Sequence, residues 1–208
     1  MLNSSPSRVE AHRPAWREVA SARFAQSIET PARFFDLNAE SLSLASLAMA
    51  KRFQRGGRLL VFGTGSSVTD AQHVSVEFVH PVIVGKQALP AIALTNDIAS
   101  VLALAQTAGV DRIFDWQLRL LGTADDIALG IALDGGDASV RGALRAAKAL
   151  GMLTIYMCGA AFNAADGCDF TFAVPSSDPY VIQEVQETAY HILWETVHVF
   201  FEHKDLLA

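Results

Sequence analysis

The sequence predicts an α/β protein built as a three-layer αβα sandwich around a mainly parallel sheet, with a helical extension at its N-terminal end. Three observations lead there. From Gly56-Gly57 onward, short runs of branched apolar residues alternate with helix-patterned segments, the pattern of strand–helix–strand units and a parallel sheet. Those runs are apolar nearly throughout, as strands covered on both faces must be. Before Gly56, by contrast, apolar residues recur at helical spacing. The 208 residues suit one domain spanning 1–208. Within it, N-terminal helices occupy about 14–55 and the α/β core about 56–204.

The helical part is marked by Phe24, Ile28, Phe34, Phe35, Leu37, Leu42, Leu44, Leu47 and Phe53. Pro31 is expected to break it into two pieces, because proline removes an interior helix hydrogen bond. The segment ETPARFFDLNAESLSLASLAMAKRF is apolar on more than one face, which suits a helix buried between subunits. The strands follow as RLLVFG, PAIALT, DIALGIAL, MLTIYMCG and DFTFAVP, and a last helix starts at about Pro179. In such sheets ligands sit beyond the carboxyl ends of the strands, so the loops after Phe62, Thr95 and Leu133 are the places to search.

Composition narrows the function classes. A charged fraction of 18% against 51% hydrophobic residues argues against disorder. A net charge of -6 with no basic stripe gives no reason to expect nucleic acid. There is no apolar run of ~20 residues for a membrane span, and the first twenty residues lack the apolar core of a secretory signal. A cytoplasmic enzyme or binding protein is the expectation. Cys158 and Cys168 are expected to stay reduced and structural.

The stretch LLVFGTGSSVTDAQHVSVEF reads as strand, glycine turn and helix. Gly63 and Gly65 permit a tight turn, Ser67 with Asp70 fits a capping box, and the helix start is a ready anion site. Val68 stands where a dinucleotide fingerprint needs its third glycine, so no nucleotide cofactor is expected. On that helix His73 and Glu77 share one face. On the last helix Gln183, Glu187 and His191 fall on one stripe, although about 12 Å of axial rise separates its ends. His198 and His203 lie near that helix's end, where histidine is favoured by the dipole. His80, before Pro81, reads as a surface helix end.

With GTGSSVTDAQHVSVEF, LPAIALTND, FDWQLRLLG and IQEVQETAYHIL in view, the chain resembles the sugar isomerase (SIS) domain family. It is most similar to the phosphoheptose isomerase branch, over about residues 20–204. The resemblance implies a flavodoxin-like sandwich, a homotetramer (or a dimer) with sites between subunits, a small sugar-type ligand, and zinc or another divalent metal. It implies His73, Glu77, Gln183 and His191 as metal ligands, with Glu77 and His191 also the catalytic acid/base pair. It implies Thr64, Gly65, Ser66, Ser67, Gln106, Thr107, Asp134 and Asp137 at the substrate positions.

Most of those positions depart from the family pattern: its G-N-G-G-S turn reads Gly63-Thr64-Gly65-Ser66-Ser67 and its Asn-Asp pair falls on Gln106-Thr107. Where the family carries S-T-S-G-N-S after the third strand, this chain has Ala132-Leu133-Asp134-Gly135-Gly136-Asp137. A carboxylate about 4 Å from a phosphate charge costs about 4 kcal/mol at an effective dielectric near 20, roughly three decades of affinity. Either Asp can instead cap the following helix. The expectation is therefore metal-assisted aldose–ketose chemistry on a sugar or sugar derivative without ordinary phosphate binding. The alternatives are an isomerase that holds phosphate through Ser66, Ser67 and backbone N–H groups, or a non-catalytic binding or assembly protein.

Overall fold

The computed structural model describes residues 8–160 and 167–207. Strands β1 (Leu59–Gly63), β2 (Ala91–Ala93), β3 (Ile127–Ile131), β4 (Leu153–Gly159) and β5 (Phe170–Val174) form one sheet in the order β2-β1-β3-β4-β5. Every neighbouring pair is parallel. Among the described residues the helices are α1 (Arg8–Gln54), α2 (Ser67–Val79), α3 (Ile98–Ala108), α4 (Ile113–Leu121), α5 (Ala138–Ala149) and α6 (Pro179–Glu202).

Successive strand residues point to opposite faces of the sheet, and both faces are covered. Leu59, Val61, Ile127, Leu129, Ile155 and Met157 pack toward α1, α2 and α6. Leu60, Phe62, Ala128, Tyr156 and Cys158 pack with residues of α4 and α5 on the other side. This is the expected three-layer sandwich. From β1 the chain crosses to β2 on one side, then returns to β3 on the other. That reversal makes the carboxyl ends of β1 and β3 the switch point of the sheet, where open α/β sheets form a crevice.

The N-terminal part differs from expectation. Pro31 does not divide it: α1 runs unbroken from Arg8 to Gln54. An interior proline costs a helix about 3 kcal/mol, and tertiary packing offsets that here. Phe34, Leu42, Met49 and Phe53 are buried after the proline, and Phe53 stacks on Phe78 of α2 at 5.6 Å. Before it, Arg23 bonds Asp178 at 2.7 Å and Glu184 at 3.0 Å, while the Ser27 hydroxyl donates to Glu184 at 2.6 Å. The helix is thus held to the rest of the fold on both sides of the proline. Its other face leaves Phe24, Ile28, Leu37 and Leu44 exposed.

Helix starts follow local chemistry. Asp178 accepts from Tyr180 N and Val181 N with Pro179 just inside α6, and Asp97 accepts from Ser100 N at the start of α3. The capping box expected of Ser67 and Asp70 is absent: Ser66 is the N-cap residue of α2 and makes no side-chain cap bond. Neither cysteine forms a disulfide, and Cys158 is buried. No helix among the described residues is long and apolar enough to cross a membrane.

Candidate functional site

The turn after β1 is set by its glycines. A Cβ on Gly63 would lie 2.7 Å from the Ser67 carbonyl oxygen and 2.8 Å from that of Ile131, and Gly65 has φ +58. Only glycine fits the first place, and the second uses glycine's left-handed freedom. The turn delivers the chain into α2 with Thr64 half-buried, Ser66 exposed and the Ser67 hydroxyl buried. That Ser67 oxygen has no hydrogen-bond partner.

α2 and α6 run alongside each other, and their side chains meet in successive rungs about one turn apart. At the first rung Gln183 Nε2 donates to Asp70 Oδ2 at 2.9 Å. At the second, His73 meets Tyr190, whose hydroxyl lies 3.0 Å from Nδ1, and Glu187, whose Oε1 lies 3.7 Å from the same nitrogen. At the third, Trp194 Nε1 donates to the Glu77 carbonyl at 2.8 Å. Because the helices advance together, residues 70, 73 and 77 face 183, 187/190 and 194. Within α2, His73 Nε2 stands 3.3 Å from Glu77 Oε1, as the shared face requires.

The imidazoles of His73 and His191 are 5.1 Å apart between centroids, at 75°. Ligand-capable atoms of His73, Glu187 and His191 lie within 4.8 Å of one another. Two imidazoles and a carboxylate are a donor set that suits zinc and similar divalent ions. Of the four residues expected on the metal side, His73 and His191 converge and Glu77 adjoins His73. The Gln183 amide nitrogen is engaged by Asp70. Glu187, which the sequence placed on one stripe with Gln183 and His191, joins the two histidines although it was not among the four expected ligands.

Electrostatics at these rungs follow burial. Asp70 is 5% exposed; burial pushes its carboxyl up, while the Gln183 amide and Tyr190 hydroxyl pull it back. Burial also raises the Tyr190 hydroxyl far above its ordinary value, with the charges of Asp70 and Glu187 adding to it, so it keeps its proton.

The substrate-side residues separate into groups. Asp137 is the N-cap of α5, accepting from Val140 N at 2.9 Å, and its other oxygen accepts from the Thr64 hydroxyl. Two expected substrate contacts are therefore bonded to each other across the switch point. Asp134 accepts from Gly136 N at 2.9 Å. It lines a cavity of about 610 Å³ with Leu133, Ala160, Pro175, Ser176, Ser177 and Ile182, apart from the α2/α6 cluster. Gln106 and Thr107 end α3 and are exposed, and the Thr107 hydroxyl donates to the Ala103 carbonyl at 2.8 Å.

The remaining histidines among the residues with described side chains resolve simply. His198 is buried, with Nδ1 2.8 Å from the Trp194 carbonyl and Nε2 2.9 Å from that of Gln87. Packing and these bonds, not the helix end, account for it. His80 and His203 are exposed. Sequence reasoning missed Asp70 as a cross-helix partner and Tyr190 altogether. The signal available was a register of three to four residues shared by two helices, which needs their pairing to be known.

A model of the SIS domain matches residues 23–159. The chain is 38% identical over 172 residues to a phosphoheptose isomerase of Solidesulfovibrio magneticus, covering 82% of this chain and 84% of that protein. It is 37% identical over 172 residues to one of Roseiflexus, covering 82% and 87%. Among solved structures, the phosphoheptose isomerase of Neisseria gonorrhoeae superposes with a TM-score of 0.81 at 29% identity, covering 88% of this chain and 98% of that one. These likenesses give no support to the expectation that ordinary phosphate binding is lost, and the engagement of Asp137 as a helix cap removes part of its physical basis. The chain belongs to the SIS domain family and is a phosphoheptose isomerase-like sugar isomerase protein.

Proposed function

We propose that the chain interconverts the aldose and ketose forms of a phosphorylated sugar of the heptose class, with a divalent ion held between α2 and α6. The observation that carries this reading is the convergence of His73, Glu187 and His191 within 4.8 Å, with Glu77 3.3 Å from His73. The names of the similar proteins support the substrate class. His73 and His191 would hold the ion with Glu77 and Gln183, and Glu187 stands close enough to join them. Such an ion, when bound, polarises the carbonyl and hydroxyl oxygens of the sugar.

The chain's own groups handle the protons. Glu77, whose side chain is 16% exposed, takes the proton from the carbon beside the carbonyl and returns it to the adjacent carbon. His191 exchanges the proton of the neighbouring oxygen. The phosphate is received at the β1–α2 turn by the Ser66 hydroxyl, backbone N–H groups and the start of α2. The exposed apolar face of α1, with Phe24, Ile28 and Leu37, fits a homotetramer.

The test is a phosphorylated ketoheptose incubated with the protein in D2O and followed by NMR. Wild type should exchange the proton beside the carbonyl and accumulate aldose. Glu77→Gln should lower both rates by about 10²–10⁴ with its circular dichroism unchanged. Exchange at the wild-type rate in Glu77→Gln would remove Glu77 from the role of base.

A further inference from the structure

We propose that Asp70 is a positioning residue that sets which atoms Gln183 and His73 present between α2 and α6. The inference rests on the reading that a divalent ion is held there. Asp70 lies one turn before His73 on α2, 5% exposed. Its Oδ2 accepts from Gln183 Nε2 at 2.9 Å and its Oδ1 from the Tyr190 hydroxyl at 3.5 Å. The same hydroxyl is 3.0 Å from His73 Nδ1.

A carboxylate only accepts hydrogen bonds. Gln183 must therefore turn its nitrogen toward Asp70, which leaves Oε1, the atom a cation takes, as its free end. The Tyr190 hydroxyl has a single proton. Given to Asp70, that proton leaves only oxygen lone pairs facing His73, so Nδ1 must carry the imidazole hydrogen. The lone pair then sits on Nε2, the nitrogen on the Glu77 side. Glu187 Oε1 stands 3.7 Å from Nδ1, too far for a hydrogen bond, and its charge favours the same tautomer. Histidines that bind metals commonly donate their other N–H to such an outer group, which fixes ring and tautomer together. Here one buried carboxylate orients two residues, on two helices, through one direct bond and one hydroxyl relay. Without it Tyr190 is free to donate to Nδ1, which moves the imidazole hydrogen to Nε2 and blocks that nitrogen. The Gln183 amide is likewise free to turn over.

The experiment measures zinc affinity by competition with a chromophoric chelator, and the visible spectrum after cobalt(II) is added. The proteins are full-length wild type, Asp70→Asn, Tyr190→Phe and, as a control on the outer face of α6, Thr188→Ala. Thermal melts without metal report on folding. Asp70→Asn and Tyr190→Phe are each expected to weaken zinc binding by about 10- to 100-fold and to alter the cobalt spectrum, while Thr188→Ala matches wild type. Tyr190→Phe removes one oxygen and decides the matter if Asp70→Asn does not fold. Lower melting temperatures with unchanged zinc affinity and cobalt spectrum would reduce Asp70 to a structural role and overturn the proposal. If wild type binds neither ion, the metal reading itself fails and the positioning role falls with it.

Discussion

Asp137→Ala is the sharpest test of how the loop after β3 is used. One carboxylate oxygen caps α5 through Val140 N at 2.9 Å, and the other takes the Thr64 hydroxyl from the loop after β1. Loss of an N-cap costs about 1 kcal/mol. Loss of a hydrogen bond to a charged group costs about 1.5 kcal/mol, the low end of its range, because half-buried Thr64 can turn to water. The sum of about 2.5 kcal/mol should lower Tm by roughly 5–10 °C in a protein of this size. Asp137→Asn keeps the cap and loses the charge, so it should fall between the two, about 3 °C below wild type. Thermal unfolding followed by circular dichroism reads both. If Asp137→Ala melts within about a degree of wild type, the carboxylate is not spent on structure. The account of this loop as internally bonded would then be wrong.

Other expectations follow from buried groups. Burial alone would push the Asp126 carboxyl up, but the Arg58 guanidinium and the backbone N–H groups of Arg58 and Thr123 hold it below its ordinary value. Its folded value being depressed, its contribution is present above the unfolded carboxylate range near 4 and is lost as pH falls through the folded value. Asp126→Asn should therefore cost about 2 kcal/mol at pH 7, and urea titrations should show that gap closing below about pH 4. Gly63→Ala drives a methyl into two backbone carbonyls and should cost about 2–3 kcal/mol, read as a lower urea midpoint. The Cys158 thiol is pushed up to about 12, mainly by burial. A chromogenic disulfide reagent at pH 8 should accordingly label native Cys168 well before Cys158, and equal rates would contradict the burial.

The sheet was legible because its cause is local. LLVFG and IALGI carry no polar side chain and LTIYMCG is apolar nearly throughout, and only a strand covered on both faces needs that. The glycine turn was legible for the same reason, since Gly63 and Gly65 answer to steric demands within a few residues. Pro31 was misread because the compensation lies in α6, more than 140 residues away, through Arg23, Asp178 and Glu184. Asp70 was misread as a cap because its partner, Gln183, is 113 positions distant. His198 was read by its place at a helix end, yet its bonds reach the carbonyl of Gln87.

By itself, then, the sequence determined the αβα sandwich, the turn after β1, the shared face of His73 and Glu77, and membership of a sugar isomerase family. The first three depend on periodicity or on spacing within single elements, which the chain order preserves, and the family membership rests on resemblance along the whole chain. Only the tertiary structure decided that α2 and α6 run side by side in a register pairing 70 with 183, 73 with 187 and 190, and 77 with 194. It likewise decided that Asp137 turns to Thr64 and its own helix, and that Glu187 joins the two histidines. Those outcomes depend on the offset between packed helices and on which neighbour best satisfies a desolvated carboxylate. Both are set by the sum of many packing contacts, and no local pattern records them.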